Sequence, residues 1–244
     1  MPALSRKPLL RVGHKGADHI APGNTLASFD AALEHGCDMV EFDVLPEDVD
    51  DPGSSRLVLA HDPGDAARRD PLTLEQGLDH FAGVAYAGVK LDVDLKLAGY
   101  EDRVVSALRD RALGGRTLIS TMEPRSLRVV RALAPEIRLG WSVPKVRRDY
   151  LASAFTRPVA YAGIGVLRRQ LPGKTARAIR EGRIDAVMAH WAVVTPRLAD
   201  AVRDAGGELY VWTVDDAQRI AAFEAMGVTG VITNDPRLFA SLSR

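Results

Sequence analysis

The feature that most constrains this chain of 244 residues is a repeated unit. A short β-branched or apolar run is followed by a turn and then by an amphipathic segment with helix start and stop signals. Runs at 9–12, 39–44, 89–95, 117–120, 138–142, 186–189, 208–213 and 230–233 read as eight strands, with 57–60 as an extra one after the second. Strands that alternate with helices pair mainly in parallel under a helical cover, either as a closed barrel or as an open doubly wound sheet. Eight units favour the barrel, and the length suits one such unit. The expectation is therefore an α/β chain whose residues 1–244 form a single (β/α)₈ barrel domain.

The helices are clearly punctuated. Asn24 or Thr25 can cap a helix carrying Leu26, Phe29 and Leu33, and Gly36 stands where a left-handed C-terminal residue belongs. Thr73 with Gln76 fits a capping box, and Pro124 and Pro196 suit first helical positions, the latter behind Thr195. Gly206 and Gly227 close two more helices. The polar stretch 46–56 reads as a loop, and 144–173 as helix plus loop.

Composition narrows the partners. Lysine plus arginine and aspartate plus glutamate both total 32, which argues against a general nucleic-acid binder. Cys37 is the lone cysteine, so no disulfide forms within the chain and a reducing compartment is expected. Neither a signal-peptide apolar region nor a membrane-spanning run is present. The expectation is a soluble, cytoplasmic protein acting on a small molecule, without stable membrane insertion.

In barrels of this kind the chemistry sits where strands end. Glu41 and Asp43 lie two apart on one strand, so with Phe42 turned to the helices both face the interior. Asp92, Asp94 and Lys96 obey the same period, which lets Asp94 approach the pair. Acids forced inside a barrel need a neutralising charge. An oxygen-only set of Glu41, Asp43 and Asp94 suits one Mg²⁺ or Ca²⁺ better than zinc. A buried acid–lysine ion-pair network is the alternative. His14 and His61 each end an apolar run and suit paired proton transfers. His190 also ends a strand and ranks below them; His19, His35 and His80 read as solvated or capping residues.

At these residues the sequence resembles the glycerophosphodiester phosphodiesterase family. The matching segments are His14-Lys15-Gly16, Pro22-Gly23-Asn24-Thr25, Glu41-Phe42-Asp43, His61-Asp62, Asp94-Leu95-Lys96, Trp212-Thr213-Val214-Asp215 and Gly230 through Pro236, in order along nearly the whole chain. The resemblance implies a TIM barrel that hydrolyses a small-molecule phosphodiester with a divalent cation. It implies His14 and His61 as the acid/base pair, and Glu41, Asp43 and Asp94 as metal ligands. Lys15 and Lys96 would neutralise the phosphate, and Trp212 would form an apolar wall for the alcohol.

Four departures accompany the match. Lys15 replaces an arginine, Gly23 replaces the glutamate of P-E-N-T, and Asp94 replaces a glutamate. The cap insertion after the second strand is also shortened, which implies a more open, less selective pocket. The D-L-K form is similar to sphingomyelinase D-like phospholipases, in which a substrate hydroxyl attacks to give a cyclic phosphate. Two other readings compete: Schiff-base chemistry on Lys96, and a non-catalytic barrel that binds a phosphate ligand.

Overall fold

The computed structural model describes residues 8–145 and 157–241. Its nine strands are β1 (Leu10–Gly13), β2 (Met39–Pro46), β3 (Leu57–Val58), β4 (Lys90–Leu95), β5 (Thr117–Thr121), β6 (Arg138–Val143), β7 (Ala186–His190), β8 (Glu208–Trp212) and β9 (Gly230–Thr233). Eight of them are parallel neighbours in the order β1-β9-β8-β7-β6-β5-β4-β2, and β1 pairs with β2 to close the ring. The expected (β/α)₈ barrel is the fold observed.

Between the strands run α1 (Leu26–Glu34), α2 (Pro63–Arg68), α3 (Leu74–Phe81), α4 (Glu101–Asp110), α5 (Pro124–Leu133), α6 (Arg157–Arg180), α7 (Pro196–Asp204) and α8 (Ala217–Met226). Thr25, not Asn24, caps α1, in a box with Ser28, while Thr73 and Gln76 form the box on α3. Gly36, Gly206 and Gly227 all take positive φ after their helices, as a glycine without Cβ can at no steric cost.

Period two sorts each strand into two cores. Outward residues such as Val40, Phe42, Val44, Leu91 and Val93 meet the helices, where the rings of Phe29, Phe42 and Phe81 pack with centroids 4.7–5.9 Å apart. Inward residues Val12, Met39, Leu118, Ala186, Met188, Tyr210 and Ile232 fill the barrel itself. Each large apolar side chain buried this way contributes roughly 1.5–3 kcal/mol. Above this plug, towards the C-terminal mouth, lie the acids of β2 and β4.

The extra strand is shorter than 57–60. Only Leu57–Val58 pairs, antiparallel to the end of β2 through Leu45 and Pro46. By that point β2 has run past β4's last partner, Leu95, which pairs with Val44. The stretch from the end of β2 to the start of α3 therefore holds only β3 and the six-residue α2. Most of the later part of 144–173 is helical, in α6, with Pro172 inside it. Residues 146–156 of that stretch lie outside the described residues. Among the described residues, no helix is long and apolar enough to cross a membrane.

Candidate active site

His14 leaves the mouth end of β1, and its backbone N–H donates to the Thr233 carbonyl at 2.8 Å. The chain then turns sharply, with Lys15 at φ 49° and Gly16 at φ 84°. A Cβ on Gly16 would lie 2.5 Å from the Ser28 backbone, so this turn needs glycine twice over. The turn aims the Lys15 N–H at Glu41, which accepts it through Oε2 at 2.8 Å. One motif thus presents a histidine and orients an acid from the neighbouring strand.

The register of β2 on β4 sets the carboxylates side by side, Glu41 against Asp92 and Asp43 against Asp94. One oxygen from each of Glu41, Asp43 and Asp94 lies within 4.8 Å of the others. Lys96 Nζ lies 2.5 Å from Asp43 Oδ1 and 2.6 Å from Asp94 Oδ2. Four buried or half-buried carboxyls therefore share one ammonium.

Their electrostatics follow from that imbalance. Burial, reinforced by the Asp43 charge, pushes Glu41 well above the usual carboxylate range. Burial also lifts Asp92 to about 8, with the Ser120 hydroxyl opposing and Asp94 adding to the rise. Burial would raise Asp43 too, but the Lys96 ammonium and the His61 contact hold it well below its ordinary value. Lys96 in turn overcomes its own burial through Asp43, Asp94 and Glu41, and stays firmly charged. Asp43 Oδ1 and Asp92 Oδ1 are buried without an aligned hydrogen bond. Unsatisfied buried oxygens and a carboxyl driven towards its neutral form are what a shortfall of positive charge produces. The donor set fits a hard divalent cation.

The two histidines differ in setting. His14 is largely buried, and burial lowers its pKa against the opposing pull of Asp43. Its Nε2 lies 3.9 Å from Glu41 Oε2, and its Nδ1 faces Asn234 Oδ1 at 2.6 Å. His61 lies between β3 and α2, and its side chain is 52% exposed. Its Nδ1 lies 3.2 Å from Asp43 Oδ2.

A cavity of about 190 Å³ joins these groups, lined by His14, Glu41, His61, Asp92, Asp94, Lys96 and Trp212 together with Ser120, Ser142, Met122 and Met188. Asp43 sits behind that lining, fully buried. Trp212 donates its indole N–H to the Met188 carbonyl at 2.9 Å and turns its ring edge to His190, 5.1 Å away. His190 itself is spent on the Ala192 N–H, which donates to its Nδ1 at 3.2 Å. Lys15 is not among the lining residues; its ammonium lies 2.5 Å from Asp18 Oδ2.

That last pair explains Gly23. The Gly23 N–H donates to Asp18 Oδ1 at 2.8 Å, and any Cβ at position 23 would lie 2.5 Å from that oxygen. The glycine leaves room for the Asp18 carboxylate beside position 23.

Three residues given no part in the site by the sequence complete it. Asn24, at φ 59°, donates its amide to Asp43 Oδ2 at 2.9 Å and accepts the Asp43 N–H at 3.0 Å. Beyond it, Asn234 and Asp215 stand behind His14. All three fall inside recognisable motifs, but only the closed barrel shows what they touch.

The glycerophosphoryl diester phosphodiesterase family matches residues 14–45 and 73–238, leaving out the end of β2, β3 and α2. A glycerophosphodiester phosphodiesterase of Caldanaerobacter subterraneus is 24% identical over 96% of this chain and 98% of its own length. Among solved structures, a glycerophosphodiester phosphodiesterase from Agrobacterium tumefaciens superposes with a TM-score of 0.69 at 19% identity, covering 96% of this chain and all of its own. A phosphodiesterase from Oleispira antarctica, solved with the product sn-glycerol-3-phosphate, superposes at 0.68 with 18% identity and 96% coverage of both chains.

Proposed function

The chain belongs to the glycerophosphoryl diester phosphodiesterase family, and on that premise we propose that it hydrolyses a glycerophosphodiester to an alcohol and a glycerol phosphate. The observation that carries the reading is the pairing of two cavity-lining imidazoles with a pit of four carboxyls and one ammonium. The Oleispira relative, which holds sn-glycerol-3-phosphate as product, supports the same product class here.

The reaction is an in-line displacement at phosphorus. Water attacks opposite the leaving alkoxide, one proton is removed from the water, and one is given to the alkoxide. His14 suits the first of these proton transfers, because its burial favours the neutral imidazole and its Nδ1 partner is an uncharged amide oxygen. His61 suits the second, because its Nδ1 faces the Asp43 carboxylate, which holds the exposed ring in place at the cavity. Lys96 offsets charge building on the phosphoryl oxygens, and Trp212 walls the alcohol side. Lys15 reaches the phosphate only from the rim, in exchange for its bond to Asp18.

A Mg²⁺ or Ca²⁺ held by Glu41, Asp43 and Asp94 would supply the positive field that polarises the phosphoryl group. Those acids are positioned for it by groups of this chain: Lys15 N–H holds Glu41, Asn24 holds Asp43, and Ser120 donates to Asp94 Oδ1 at 3.4 Å. The buried free thiol of Cys37 is consistent with a cytoplasmic location.

The test is turnover of glycerophosphodiesters and lysophospholipids with Mg²⁺, Ca²⁺ or Mn²⁺, followed by phosphorus NMR. Metal-dependent release of glycerol phosphate is the expected result. No turnover anywhere in the panel would overturn the reading, and a cyclic phosphate would replace water by a substrate hydroxyl as nucleophile.

A further inference from the structure

His14 is one end of a hydrogen-bonded chain that crosses three adjacent strand ends. Asp215 lies just after β8, Thr233 ends β9 with Asn234 next, and His14 directly follows β1. Asp215 Oδ1 accepts the Thr233 hydroxyl at 2.9 Å and the Asn234 backbone N–H at 2.8 Å. Asp215 Oδ2 accepts the Asn234 side-chain amide at 2.7 Å. Asn234 Oδ1 then faces His14 Nδ1 at 2.6 Å.

We propose that Asp215, acting through Asn234, is a positioning residue that fixes His14 in the tautomer with its proton on Nδ1. The argument is one of donors and acceptors. A carboxylate only accepts, so the end of Asn234 that meets Asp215 must be its NH₂. The opposite end is then a carbonyl oxygen, which also only accepts, so the His14 Nδ1 it meets must carry hydrogen. Nε2 is left with its lone pair on the side facing Glu41. A neutral imidazole has one nitrogen able to take a proton, and this chain decides that it is the one facing the site. The inference rests on the reading above in taking His14 as the base, but the tautomer is measurable without any turnover.

Asp215→Asn isolates the effect. The new amide could still accept from Thr233 and from the Asn234 backbone, but its NH₂ would confront that of Asn234. Turning the Asn234 side chain over relieves the clash and offers NH₂ to His14, so the proton moves to Nε2. The double variant Asp215→Asn/Asn234→Asp restores the original polarity. Its amide, now on the β8 side, donates to a carboxylate on the β9 side, and that carboxylate accepts from Nδ1.

The experiment is nitrogen-15 NMR of the imidazoles in metal-free protein, at a pH where they are neutral, with His14→Gln as the assignment control. Wild type should show Nδ1–H at His14 and Asp215→Asn should show Nε2–H, with Nδ1–H recovered in the double variant. On a glycerophosphodiester, Asp215→Asn should lose kcat by about 10³–10⁴-fold, the scale of a wrong tautomer in a catalytic histidine. KM should stay within a few-fold, and the double variant should regain at least tenfold. An Nε2–H tautomer in wild type overturns the proposal even if no variant folds. So does Nδ1–H retained in Asp215→Asn, or a double variant no better than the single one. Correct tautomers without turnover in wild type would instead fault the hydrolase reading.

Discussion

Lys96 Nζ lies 2.5 Å from Asp43 Oδ1, close enough for a strong charge contact, yet that oxygen has no aligned hydrogen bond. The ammonium is shared with Asp94 and, among the described residues, is the one lysine or arginine lining a cavity that holds Glu41, Asp92 and Asp94 as well. A single positive charge cannot balance these acids, and the predictions start from that shortfall.

A divalent cation should stabilise the folded chain. At a hundred times its dissociation constant, a ligand that binds only the native state adds about 2.7 kcal/mol. For a domain of this size that is a rise of roughly 5–10 °C in Tm. Ca²⁺ or Mg²⁺ titrated into chelator-treated protein should produce the shift, and Asp94→Asn should remove most of it. Equal melting with and without cation would show that Lys96 alone satisfies the acids.

Metal-free stability should fall as pH rises, with Asp92 a main cause. Unfolded, it titrates near 3.8; folded, burial holds its proton to about 8. Within that window the folded state binds more protons than the unfolded one, so stability is lost as pH increases. Asp92→Asn carries no ionisable proton and should be more stable than wild type by a few kcal/mol at about pH 8, since each unit of pKa difference corresponds to about 1.4 kcal/mol. Denaturant unfolding in chelator at about pH 5 and about pH 8 checks this. Parallel pH dependence in the two proteins would rule Asp92 out.

Removing either imidazole should cost turnover rather than fold. His14→Ala and His61→Ala should each lower kcat by roughly 10²–10⁴-fold, the usual contribution of a general acid or base. His61, half in solvent, should leave Tm nearly unchanged. Unfolding of the His61 variant, with normal activity in whatever remains folded, would make its bond to Asp43 structural instead.

Trp212 should select substrates by bulk. His61 is exposed at the mouth beside β3, so apolar contact with the alcohol falls to the β8 wall of the cavity, where Trp212 is held by the Met188 carbonyl. Trp212→Ala should cost bulky or lipid-like diesters about 1–3 kcal/mol in kcat/KM, or roughly tenfold to two-hundredfold, and a small chromogenic diester much less. Equal losses on both would assign the indole to supporting the barrel.

The barrel was legible in the sequence because its causes are local. Apolar runs of strand length, Thr73 with Gln76, and glycines at positions 36, 206 and 227 each specify an element from within a few residues. Period two likewise turned Glu41, Asp43, Asp92, Asp94 and Lys96 inward before any partner was known. What only the closed barrel decided is who meets whom. Asn24, a plausible helix cap by sequence, turns inward to hold Asp43, and Thr25 takes the cap. Asp18 fills the space that Gly23 leaves, and Lys15 turns to it instead of lining the cavity. His14 and Asn234 stand 220 residues apart and touch because β1 pairs with β9. Local propensity fixes which face a side chain takes. Register and ring closure, set by the packing of the whole molecule, fix its neighbours, and it is the neighbours that orient the imidazoles and set the charge balance of the site.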